Sequence, residues 1–130
     1  MMDWNKSTYF SMHEFKCSHT GKCEMNPDFI DKLNDLRLAF GKPMKINSGF
    51  RDVTHPVEAK KKNGGGAHTT GKAADISVAR GDAFYLLSLA LQKGFTGIGI
   101  AQKGSGASRF LHLDTIENSP ERPRPTIWSY

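Results

Sequence analysis

Cysteine is nearly absent from this chain. Only Cys17 and Cys23 occur in 130 residues, too few for a disulfide framework, and a single pair in a cytosolic product is expected as two thiols. Long apolar runs are missing as well. No stretch approaches the roughly 20 apolar residues of a membrane-spanning helix. The start, Met-Met-Asp-Trp-Asn-Lys-Ser, has no apolar segment after its charges. A secretory leader is therefore not expected, so the protein is expected to be made in a cytoplasm and to reach any outside target by release or carriage. Internal repeats are absent, and so are low-complexity tracts beyond three consecutive glycines at 64–66.

Acidic excess is lacking too. Eighteen Lys and Arg face thirteen Asp and Glu, for a net charge of +5. A basic surface favours anionic partners such as nucleic acid, membranes or cell-wall polymers. The excess is scattered, and Lys60-Lys61-Lys62 is its only run. No aromatic residues interleave with that run as in a single-strand groove, so no specific nucleic-acid binding is expected. The bland expectation for it is a solvated helix end before a flexible loop.

What is present suits one small domain. A chain of 130 residues with 38% hydrophobic content is large enough for a single core. Residues 1–7 read as a loose lead-in and 8–130 as the domain, expected to act as a monomer. Asn26-Pro27-Asp28 predicts a helix start: a side-chain cap, Pro at the first helical position and an acid in the first turn. Phe29, Ile30, Leu33, Leu36 and Phe40 then repeat at helical spacing, and Gly41-Lys42-Pro43 stops the run. Strands are expected at Met44–Ser48, Ala73–Val78, Gly97–Ala101 and Arg109–Asp114, the last two joined as a hairpin. Pro56 predicts a helix to about Lys62. Gly81-Asp82 predicts the cap of another, ending at Gly94 and apolar enough to lie against the sheet. The aromatic end, Ile127-Trp128-Ser129-Tyr130, is expected to pin a Pro-rich tail onto the domain. Helices and strands mix without βαβ alternation, which predicts the α+β class: a small, mainly antiparallel sheet flanked by helices.

Chemistry concentrates in two segments, Gly-Ala-His68-Thr-Thr-Gly71-Lys-Ala-Ala-Asp75-Ile and Phe-Leu-His112-Leu-Asp114. Two imidazoles and one carboxylate are the donor set that zinc uses when it keeps a fourth position open for water. Such a site acidifies bound water and polarises carbonyls. Gly71 permits a bend between a loop His68 and a strand Asp75. His112 and Asp114 share one strand face, so Asp114 is expected either to move a proton or to orient a ligand histidine. His55 and Glu58 are further candidates for the proton-accepting role. His13, Cys17, His19 and Cys23 are spaced too irregularly for a convincing second zinc site.

These segments, with Ile46-Asn-Ser48-Gly49-Phe50-Arg51, Gly97-Ile98-Gly99, the entry Tyr9-Phe10-Ser11-x-x-Glu14-Phe15-x-Cys17 and the ending Arg124-Pro125-Thr126-Ile127-Trp128-Ser129-Tyr130, resemble the zinc D-alanyl-D-alanine carboxypeptidase family. That family shares its fold with the Hedgehog signalling domain. The likeness covers about residues 8–130 and is to the small forms found in bacteriophages and prophages. It implies that His68, Asp75 and His112 hold Zn²⁺, and that the substrate is a peptidoglycan peptide. It also implies that Arg51 projects into the cleft to bind a substrate carboxylate or support a polarised carbonyl, a role suited to a planar guanidinium. Ser48 either orients Arg51 or a ligand, or simply forms the turn. The resemblance further implies a lysis or virion-borne role in opening the bacterial wall. Two positions depart from the family pattern. Gly66 stands where many members carry Ser. Arg109 stands where better-known members carry the acid that serves as general base. A catalytically weak metal-binding module on the same fold is therefore the alternative.

Overall fold

Residues 2–61 and 65–130 are described by a computed structural model. The first long element is α1, Pro27–Phe40, and it begins where its cap predicts. The Asn26 side chain accepts from the Phe29 N–H, and Gly41 closes the helix at φ 74°. Phe29, Ile30, Leu33, Leu36 and Phe40 form its buried stripe. Strand β1 follows at Lys45–Ser48, then a single helical turn, α2, at Pro56–Ala59. The helix expected to run to about Lys62 instead ends at Ala59, with Lys60 as its C-terminal cap. Strand β2 is Ala73–Ser77, α3 is Arg80–Gln92, β3 is Gly97–Ala101, β4 is Phe110–Asp114 and β5 is Thr126–Ser129.

The expectation for α3 is corrected at its start. Gly81-Asp82 does not cap the helix. It begins at Arg80, with Ala79 in the cap position and no side-chain bond to the first turn. Asp82 instead pairs with Lys42 at 2.7 Å. As expected, α3 does lie against the sheet, on β4, with one face. It buries Ala83, Leu86 and Ala90, while Phe84 and Leu91 remain exposed.

The five strands form one sheet in the order β1-β2-β4-β3-β5. Every pairing is antiparallel except β3 with β5. The mixture of three helices with a mainly antiparallel sheet is the expected α+β architecture. The aromatic end joins the sheet as β5, at its edge. Alternation of side chains along each strand sorts the two faces. Ala74, Ile76, Leu111, Leu113 and Ile98 join Leu33, Leu36 and Leu86 in the core. Asp75, His112 and Asp114 occupy the opposite face. Of the lead-in, Trp4 lies in a short turn and stacks on Phe15 at 5.4 Å between centroids.

Candidate metal centre

One row across the sheet builds the site. Registers align Ser48 of β1 with Asp75 of β2, Asp75 with His112 of β4, His112 with Gly99 of β3, and Gly99 with Trp128 of β5. Gly99 has no side chain, so the Trp128 ring leans across it and meets the His112 ring at 4.9 Å between centroids. The next row aligns Ala73, Asp114, Gly97 and Thr126. A Cβ at Gly97 would collide with the Asp114 carboxylate, so glycine there is what gives that carboxylate room.

His68 arrives from outside the sheet. It sits in the short helical turn Ala67–Thr70, which Gly71 ends at φ 75°. Side-chain-bearing residues rarely adopt that left-handed conformation. The turn folds the chain back so that β2 delivers Asp75 beneath His68.

The hydrogen bonds dictate how each imidazole is oriented. His68 Nδ1 faces the Gly49 carbonyl at 2.8 Å. His112 Nε2 faces Asp114 Oδ2 at 2.8 Å. Both partners are pure acceptors, so each ring must present an N–H to them. In the neutral rings the inner nitrogens carry lone pairs, and both aim at one oxygen. His68 Nε2 lies 3.3 Å and His112 Nδ1 3.1 Å from Asp75 Oδ1. Two lone pairs against a carboxylate oxygen repel unless positive charge sits among them. Tetrahedral coordination with bonds of about 2.0–2.1 Å sets its donors about 3.3 Å apart. Both His–Asp spacings match that edge, so the donor set fits a tetrahedral divalent ion. Among the described residues, His68, Asp75 and His112 are the single group of three such side chains whose donor atoms all lie within 4.8 Å of one another.

Burial pushes the Asp75 carboxyl up, but hydrogen bonds and charge from His112 and His68 outweigh it and hold the carboxyl well below the usual range. Burial pushes His112 down, and Asp114 and Asp75 more than reverse that, leaving it raised. Asp114 is wholly buried, and both its oxygens are engaged. Arg124 grips it with Nε on Oδ1 at 2.9 Å and Nη2 on Oδ2 at 2.7 Å, and the Ile116 N–H also donates to Oδ1 at 3.2 Å.

Arg51 stands beside this centre. Its backbone N–H donates to the His68 carbonyl at 3.1 Å. Its Nε donates to Ser48 Oγ at 3.1 Å, and its Nη1 to Glu58 Oε2 at 3.0 Å. Ser48 thus orients Arg51. Glu58 is buried and also accepts from the Gly66 N–H at 2.7 Å. It is a structural hub rather than a residue of the cleft wall. His55 caps α2 and meets Ser18 at 3.3 Å, away from the cleft. Arg109 donates to the Gly104 carbonyl at 3.0 Å and lines a different depression with Phe84 and Leu111. His13, Cys17, His19 and Cys23 are not gathered into a ligand group among the described residues, and both cysteines are free thiols.

The centre lies at the floor of a cleft of about 600 Å³, a size that accommodates a peptide segment. Its far wall comes from residues that spacing alone did not single out: Glu121, Arg122, Arg124, Trp128 and Tyr130. Their one sequence signal was the aromatic, arginine-containing end. No helix among the described residues is long and apolar enough to cross a membrane.

The family model described as Peptidase M15 matches residues 8–114. No curated protein matches the chain.

Proposed function

The chain belongs to the Peptidase M15 family, and from that premise we propose that it is a zinc-dependent peptidase. It cleaves peptidoglycan stem peptides or cross-links, as a D,D-carboxypeptidase or endopeptidase, and it acts as a monomer on the bacterial wall in a phage lysis or entry role. The observation that carries this reading is the convergence of His68 Nε2 and His112 Nδ1 on Asp75 Oδ1 at the cleft floor.

His68, Asp75 and His112 would hold the zinc ion, which when bound would supply a Lewis acid and acidify water. The chain's own residues do the rest. Asp114 holds the His112 ring with its Nδ1 turned inward, and Arg124 holds Asp114, so the orientation is built in before any ligand arrives. With both oxygens taken, Asp114 is a positioning residue in this reading. Arg51 offers Nη2, its one nitrogen without a protein acceptor among the described residues, to a substrate carboxylate or to the carbonyl under attack. Trp128 covers one side of His112 and keeps that side of the centre dry, which strengthens every charge interaction in it.

A second reading has its own observation. Arg109 replaces an acid and turns to the other face of the sheet, and Asp114 is spent. This combination favours a metal-binding module that does not hydrolyse. Digestion of defined muropeptides with zinc restored, followed by product masses, separates the two. The peptidase reading expects discrete products that His68→Ala abolishes. Zinc binding without cleavage of any muropeptide leaves the module.

A further inference from the structure

We propose that Arg122 is a second carboxylate receptor in the cleft, distinct from Arg51, and that the cleft therefore selects acidic peptides. Four cations line the cavity: Arg51, Lys61, Arg122 and Arg124. Three of them are engaged by buried carboxylates. Arg124 gives Nε and Nη2 to Asp114 and Nη1 to the Pro123 carbonyl. Arg51 and Lys61 converge on Glu58, at 3.0 and 3.3 Å. Arg122 differs. Its Nη2 donates to the backbone carbonyls of Gly65 at 2.9 Å and Gly66 at 3.4 Å. It forms no ion pair among the described residues, although Glu121 beside it also lines the cleft. Its Nε and Nη1 have no protein acceptor there either.

A guanidinium tied down at one nitrogen and open at the others is pre-organised. Little side-chain freedom remains to be lost when a ligand arrives. Its planar fork matches a carboxylate in a way that an ammonium does not. The tie also places Arg122 against the segment that leads into His68, so an anion bound to it lies along the same cleft as the metal centre. Neutral peptides offer that fork nothing charged. A peptide with a carboxylate away from the scissile bond satisfies it.

The ligand class rests on the peptidase reading, and the test keeps the two apart. Stem-type peptides with a reduced, uncleavable scissile amide are titrated calorimetrically into the zinc-loaded full chain. Each carboxylate is replaced in turn by its carboxamide. For one of these acids, wild type binds the acid about tenfold or more tighter than the amide, as expected for a charge-assisted bond. Arg122→Gln removes that preference, and Arg122→Lys retains part of it. If every acid preference persists in Arg122→Gln, the proposal is wrong. It is also wrong if Arg122→Gln weakens acid and amide forms in parallel, since the side chain then only braces Gly65 and Gly66. Hydrolysis of the unreduced peptides is followed separately. Its absence, with the acid preference intact, removes the peptidase reading and leaves the receptor.

Discussion

Asp114 and Arg124 form an ion pair shielded from water, with side-chain exposures of 0% and 8%. Such a pair is weak evidence of net stability, yet removing one partner leaves an uncompensated buried charge. Arg124→Leu is expected to cost about 3–5 kcal/mol by denaturant unfolding. An unchanged midpoint would mean that water reaches Asp114. Glu58 gives a prediction in pH. Burial raises its pKa, but the Gly66 N–H, Arg51 and Lys61 overcome this and hold it below the usual carboxylate range. A carboxyl depressed in the folded state stabilises above its unfolded value and loses that contribution as pH falls through the folded one. Wild type should therefore exceed Glu58→Gln in stability at about pH 6, and the gap should narrow toward about pH 3. A gap independent of pH would show that the Glu58 charge contributes nothing.

At the scale of elements, β3 is shaped by what it omits. Its two glycines lie on the metal face, opposite Asp114 and His112, and its isoleucines serve the core. Gly97→Ala pushes a methyl into the Asp114 carboxylate. It should weaken metal affinity about 10- to 100-fold, the usual effect of disturbing a partner that orients a ligand. Ile98→Val is the control on the same strand. It should cost about 0.5–1.5 kcal/mol and leave metal affinity alone. Equal metal affinity in both variants would refute the idea that β3 makes room for Asp114. The ligand-bearing elements were legible in the sequence because their signals are local. Asn26-Pro27 and the 3.6-residue stripe define α1, and strand alternation puts His112 and Asp114 on one face. The start of α3 is not legible because Ala79 sits at the cap with no side-chain hydrogen bond, leaving no chemical signature. The partner of Asp114 was not legible at all. Arg124 reaches it only because β5 docks in parallel on β3, a pairing that neither local spacing nor turn chemistry encodes.

For the whole molecule, the candidate metal centre joins parts that are distant in the chain: the turn at His68, the middle strands and the aromatic end. Metal binding should therefore stabilise the entire fold. At about 100 times the dissociation constant, an ion adds about 2.7 kcal/mol, and for a domain of this size that is a melting-point rise of about 10 °C. Calorimetry before and after chelation measures it. A melting point indifferent to chelator would indicate that these donors hold no ion. The charges follow the same division. The +5 excess was visible at once, but its sorting into spent and open guanidiniums depended on Asp114 and Glu58 being buried beneath the cleft.

The parallel edge strand has a consequence for biosynthesis. β1 to β4 and their helices are complete once Asp114 has left the ribosome. The groove's outer wall, with Arg124 and Trp128, emerges afterwards and must slot beside a partner already in place. A product of premature termination before Glu121 would own all three donors yet lack the far wall of its mouth.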